Sequence, residues 1–252
     1  MVPTRRLAVG TNMELNWALN AKDIEVLTVL LGGTFLFCVG HYICRDMVME
    51  RFFAKRTPLE QRANGYFLAV LLRGLVLGLG SLFVAQRVGL SLDFMSLTPG
   101  PFFKNAALGV GIFILLLPVL WGSARKKEIQ AHYPELRLVP RDRAIVLNSA
   151  AGWFIFMLGY EILFRGLLLH YGILEWGLWP GIAVMTGLYV LAHLHKPGSE
   201  TFACLVVGPA FAYLTLETGT IWAVVVLHTL IGITNENLAA KFNPDFQTPD
   251  TP

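Results

Sequence analysis

Between Ala144 and Leu169 the chain is apolar over a length that crosses a bilayer, yet it carries Glu161 and Arg165 within that run. On a helix, residues i and i+4 share one face, so this carboxylate and this guanidinium can pair. Ionisable groups at membrane depth are costly to desolvate. Such residues therefore mark either a functional site or a buried pair that fixes helix packing. Further apolar runs lie near Ile24–Ile43, Tyr66–Ala85, Ala106–Trp121, Trp179–Leu194, Phe202–Leu216 and Thr220–Ile233. Together they predict an all-α fold, a polytopic membrane helix bundle of about seven transmembrane helices.

Composition agrees. The chain is 55% hydrophobic and 15% charged, with mean hydropathy +0.57, where soluble domains carry about a quarter charged residues. The net charge of +3 sits in loops between apolar runs and is no nucleic-acid footprint. Cys38, Cys44 and Cys204 form no CxxC and no framework, and read as inert small apolar residues. Arg5 and Arg6 are followed by too short an apolar stretch for a secretory signal. The predicted organisation is an N-terminal segment 1–23, one transmembrane domain 24–242 and a polar tail 243–252. An integral, multi-pass protein of a bacterial cytoplasmic membrane is expected.

Loop charge sets the expected orientation. Arg45, Arg51, Lys55, Arg56 and Arg62 follow the first span, and Arg125, Lys126, Lys127, Arg137, Arg141 and Arg143 follow the third. The loop after the second span has only Arg87 and Lys104, and the loop after the fourth has no Lys or Arg. The positive-inside rule places the first and third loops in the cytoplasm, with the N-terminus outside, although Arg5, Arg6 and Lys22 run against it.

Other polar residues lie within or beside the spans. Arg73 is expected to snorkel to the interface, and His41 to meet solvent or headgroups near a helix end. Gly74 and Gly78 form a GxxxG suited to close helix packing, and Pro118 is expected to kink the third span. His193 and His228 are more unusual. At 1.5 Å per residue, Glu161 lies roughly 15–18 Å, His193 roughly 20 Å and His228 roughly 14 Å inward from the turns on one side. A shared depth on three helices suggests one water-filled cavity. A carboxylate with two imidazoles can activate water there, or hold a divalent metal such as zinc.

These residues carry a resemblance. Tyr160-Glu161-Ile162-Leu163-Phe164-Arg165-Gly166, then Tyr189 to His193, then His228 to Gly232, resemble in order and spacing the EExxxR-G, FxxxH and HxxxN motifs of one family. This is the CPBP family of CAAX-protease-like intramembrane peptidases. The stretch Thr215 to Trp222 agrees as well, and the similarity covers about Gly152 to Asn237. The resemblance implies hydrolysis of a peptide bond in a membrane-associated or prenylated substrate, with Glu161, His193 and His228 as catalytic residues. Arg165, Tyr160 and Asn235 would support them. No cofactor is required by that mechanism, although the three catalytic residues would be the zinc ligands if zinc were bound. The partners implied are a membrane-associated protein or peptide and the lipid bilayer, and no nucleic acid.

Two positions depart from the family pattern. Tyr160 stands where the family has its first glutamate, and Gly232 where it has the asparagine that stabilises the oxyanion. A phenol is not ionised near neutral pH and cannot be a resting general base, but it can donate a hydrogen bond to an oxyanion. Asn235 lies about one turn beyond Gly232 on the face of His228. An active peptidase and a family member that kept the pocket but binds rather than cuts therefore both remain open. A small proton-coupled transporter is less favoured, because no inverted repeat is visible.

Overall fold

The computed structural model describes residues 19–42, 59–135 and 143–246. These form α1 (Ala21–Cys38), α2 (Leu59–Arg87), α3 (Phe102–Ser123), α4 (Lys127–His132), α5 (Arg143–Glu161), a π-helical segment (Ile162–Leu168), α6 (Leu169–Trp176), α7 (Leu178–Ala192), α8 (Gly198–Thr218) and α9 (Trp222–Phe242). No strand occurs among the described residues. Each apolar run read from the sequence is a helix, and the fold is a polytopic helical bundle. Among the described residues 6 helices are long and apolar enough to cross a membrane, whereas α7 has only 15 residues. At 1.5 Å per residue α7 spans roughly 22 Å, short of a hydrocarbon core of about 30 Å. This is an integral membrane protein.

The long helix Arg143–Trp176, made of α5, the π segment and α6, is the axis of the bundle. Of its most apolar stretch 78% is buried, against 6% for α3 and 22% for α1. It is sheathed by α2, α9, α7 and α1, while α3 packs on α9 at the periphery. Gly177, at φ 83°, supplies the left-handed turn that folds α7 back against α6.

Backbones of α2 and α5 approach closely at glycines. A Cβ on Gly159 would lie 2.1 Å from the Gly74 carbonyl oxygen, and one on Gly74 would lie 2.5 Å from that of Ile155. The GxxxG of α2 thus meets a glycine of the axis, and only hydrogen fits between the backbones. Apolar side chains gain little by leaving lipid for protein, so close packing of this kind is a main source of helix association.

Two expectations are corrected. Arg73 does not snorkel: it is 2% exposed, its Nη1 lies 3.4 Å from Glu135 Oε2, and its guanidinium stacks 4.0 Å from the Phe156 ring. The cause is the segment after α3, which folds back under α2 and brings a carboxylate to it. His41 is likewise buried, stacked on Phe37 at 5.5 Å and 4.0 Å from the His195 ring centroid. The same returning segment is latched by Lys196 Nζ on Glu135 Oε1 (2.8 Å) and by the Tyr133 hydroxyl donating to Glu200 Oε2 (3.1 Å). Burial, then the Glu200 charge, push the Tyr133 phenol well above its ordinary pKa, so it stays a donor. Arg5, Arg6, Cys44, Arg45, Arg51, Lys55, Arg56, Arg137, Arg141 and the tail from 247 lie outside the described residues.

Gly159→Ala should destabilise the protein by about 1–3 kcal/mol, because the new methyl meets backbone that cannot yield. Gly78→Ala, whose Cβ would sit 3.4 Å from Gly159 Cα, should be nearly neutral. Thermal unfolding of the two variants in detergent checks the difference.

Candidate active site

Glu161 ends α5 where the helix widens into the π segment, and it is wholly buried. Its two oxygens are both engaged. Oε2 lies 3.0 Å from Arg165 Nη1, as an ion pair within the same helix. Oε1 accepts from His228 Nδ1, on α9, at 2.5 Å. The Arg165 guanidinium is itself fully buried between the Tyr189 ring at 4.3 Å and the Phe211 ring at 5.1 Å. Those ring faces favour the cation where water is absent.

His193 follows the last residue of α7 and is partly exposed. Its Nδ1 donates to the Tyr189 carbonyl at 2.8 Å, and the Tyr160 hydroxyl lies 3.3 Å from the same nitrogen. The rings of His193 and His228 stand 6.0 and 5.7 Å from that of Tyr160. In both histidines Nδ1 is tied back to the protein. Each neutral ring therefore presents Nε2 as its basic nitrogen.

Tyr160, His193 and His228 line a cavity of about 580 Å³. Its wall is largely apolar and aromatic, with Phe37, Trp153 and Phe156 from the core and Val119 from α3. Pro118 also lines it, and α3 continues through this residue. One end carries Arg73, Lys126 and Lys196. Asn235 is on this wall too, with Nδ2 donating to Glu200 Oε1 at 3.4 Å. Glu161 and Arg165 lie behind the wall rather than on it. Of the residues named from sequence, Tyr160, His193, His228 and Asn235 thus share the cavity, and Glu161 reaches it through His228.

The remaining departure from the family pattern has a steric counterpart. A Cβ on Gly232 would lie 2.5 Å from Trp153 Cε3, so the indole fills the space a side chain there would occupy. Trp153 had no signal in the sequence, since its partner is a residue without a side chain on another helix. Tyr189 is different: its carbonyl and ring hold His193 and Arg165, and its place four residues before His193 could have indicated the first of these.

The zinc alternative does not fit. Among the described residues, no three His, Cys, Asp or Glu side chains group to hold a metal ion. Both Glu161 oxygens are engaged, and His193 turns its Nδ1 to a carbonyl. Cys204 is buried on the cavity wall, Cys38 is exposed, and both are free thiols.

Residues 142–234 match the family model of the type II CAAX prenyl endopeptidases, Rce1-like. The match runs from the start of the axial helix into α9 and takes in Tyr160, Glu161, Arg165, His193, His228 and Gly232; Asn235 lies just beyond it. No curated protein and no solved structure matches the chain. This segment is thus similar to CAAX-protease-like intramembrane peptidases, as its three motifs had indicated.

Arg165→Met leaves the Glu161 carboxylate buried beside only one partner and should destabilise the protein by about 3–5 kcal/mol. Adding Glu161→Gln removes the charge and should restore most of that loss. Denaturation midpoints of the single and double variants in detergent read the coupling.

Proposed function

We propose that this protein is an intramembrane endopeptidase that hydrolyses a peptide bond of a membrane-associated or prenylated substrate with activated water. The observation that carries the proposal is the His228–Glu161 hydrogen bond, sealed from behind by Arg165. A carboxylate on Nδ1 fixes the tautomer, leaves the Nε2 lone pair turned to the cavity and stabilises the imidazolium once it forms. His228 Nε2 takes a proton from water, and the hydroxide oxygen adds to the scissile carbonyl carbon. His193 Nε2 accepts the second hydrogen of that water and orients it. The Tyr160 O–H, beside His193, donates to the oxyanion in place of the missing asparagine amide. As the C–N bond breaks, the His228 imidazolium returns its proton to the leaving nitrogen.

The apolar length of the cavity suits a lipid-modified or hydrophobic peptide. Its Arg73, Lys126 and Lys196 end faces the cytoplasm under the positive-inside reading. In this proposal Asn235, near that end, binds substrate backbone, and Arg165 is a positioning residue for Glu161. The membrane is the bacterial cytoplasmic membrane.

A second reading has its own observation: Trp153 packs where the family's oxyanion asparagine would reach. In that reading the cavity binds a membrane peptide without cutting it.

Cleavage of a pooled membrane-peptide library, with prenylated C-terminal peptides included, separates the two. Wild type should cut, and His228→Ala and Glu161→Gln should each lower the rate roughly 10²-fold or more. Tyr160→Phe should lower it by about 10²-fold, as expected for loss of an oxyanion donor. Cleavage that appears only in Tyr160→Glu would instead establish the binding reading.

A further inference from the structure

Outside the cavity, a further histidine is built into the axial helix. His170, one turn past Arg165 on α6, is 7% exposed. Its Nδ1 donates to the Arg165 carbonyl at 2.7 Å and lies 3.1 Å from that of Gly166. Widening to a π-helix shifts the hydrogen-bond register, and the Leu169 N–H goes to the Phe164 carbonyl. His170 thus supplies a side-chain donor within the π segment. With Nδ1 protonated, its Nε2 accepts from the Ser96 hydroxyl at 3.0 Å.

Ser96 lies in the loop between α2 and α3 and is 6% exposed. It holds φ at 56°, a conformation that L residues other than Asn and Asp seldom adopt. Its backbone carbonyl accepts the Ile221 N–H at 3.0 Å, at the N-cap of α9. The same loop packs Met95 and Leu97 over Gly166, where a Cβ would lie 3.3 and 3.4 Å from their side chains. It also receives the Trp222 indole N–H at the Thr98 carbonyl, 3.3 Å. One residue therefore grips both elements whose side chains meet in the site. Its hydroxyl bonds His170, which in turn holds the π segment that carries Arg165, and its carbonyl holds the start of the helix that carries His228.

We infer that Ser96 and His170 are positioning residues: they lock the π segment to the start of α9 and so set the distance at which Glu161 receives His228. The inference rests on the proposed role of His228 only for its kinetic consequence. The geometric part stands whether or not the protein cuts. The Glu161–His228 bond joins α5 to α9, which also pack against each other at Trp153 and Gly232. Each is tied to the same serine: the π segment through His170, which bonds the Arg165 carbonyl, and α9 at Ile221, about two turns before His228. A small slip there lengthens a 2.5 Å contact beyond hydrogen-bond range.

The test is Ser96→Gly, which removes the hydroxyl while glycine tolerates the positive φ, so folding is preserved. Full-length protein labelled with ¹⁵N-histidine in detergent micelles gives the ring resonances, with the His228 Nδ1–H signal assigned by its loss in His228→Gln. The expected result is that Ser96→Gly and His170→Phe each lose or broaden the His228 Nδ1–H resonance while the unfolding temperature of Ser96→Gly stays at the wild-type value. Where wild type hydrolyses peptide, kcat should fall about tenfold or more with KM unchanged. A His228 resonance at its wild-type position in both variants would overturn the inference and leave the loop as a fold staple. If wild type shows no hydrolysis, the proposed function fails, and the resonance alone still decides the positioning role.

Discussion

A carboxylate held where water does not reach must be met by other charges and dipoles, or it takes up a proton and stops being a carboxylate. Glu161 sits at 0% exposure, and much of the bundle's centre is arranged around that demand. Arg165 neutralises it, and the rings of Tyr189 and Phe211 make a bed for the guanidinium. His228 then completes the shell from α9. Each partner has a second duty. The Tyr189 carbonyl aligns His193, and His228 carries the influence of the buried charge out to the cavity wall. Charge is thereby sequestered while the imidazole of His228 faces the cavity.

That arrangement needs helices at fixed separations in a solvent that gives apolar side chains little reason to associate. Backbone contact does the work instead. Gly74 and Gly159 bring α2 against the axis at a distance that allows no methyl group. The π segment is the other local device. It widens the axis at the place where Glu161 and Arg165 must both point inward and exposes carbonyls that His170 helps to satisfy. α3, packed mainly on α9 among the described residues and little buried, walls one flank of the cavity.

Against the family pattern, the two departures are different in kind. Tyr160 keeps a polar group beside His193, so the first glutamate is exchanged for a donor rather than deleted. Gly232 is coupled to Trp153, whose ring takes up the space. A base resting on His228 and Glu161 tolerates the first change, because the carboxylate that remains is the one already bonded to the histidine. The second change alters the shape and polarity of the wall, and Asn235, further along α9, is the amide left on it.

Apolar runs of bilayer length specified an all-α membrane bundle without reference to any fold. The spacing of Glu161, Arg165, His193 and His228 pointed to the candidate site, because depth along a helix is a property of sequence: each residue adds the same rise. Which groups pair at that depth is not such a property. Periodicity reports the residues that share a face of one helix and is silent on the rotation and neighbours of that helix. Only the packed bundle could therefore put Glu161 behind His228 instead of on the cavity wall. Arg73 and His41 were misread for the same reason, since their partners Glu135 and His195 arrive on connecting segments. The indole over Gly232, the π-helical widening and the Ser96–His170 contact complete the list. Each depends on one chain segment filling a space that another leaves, which is decided when helices meet in three dimensions and not along the chain.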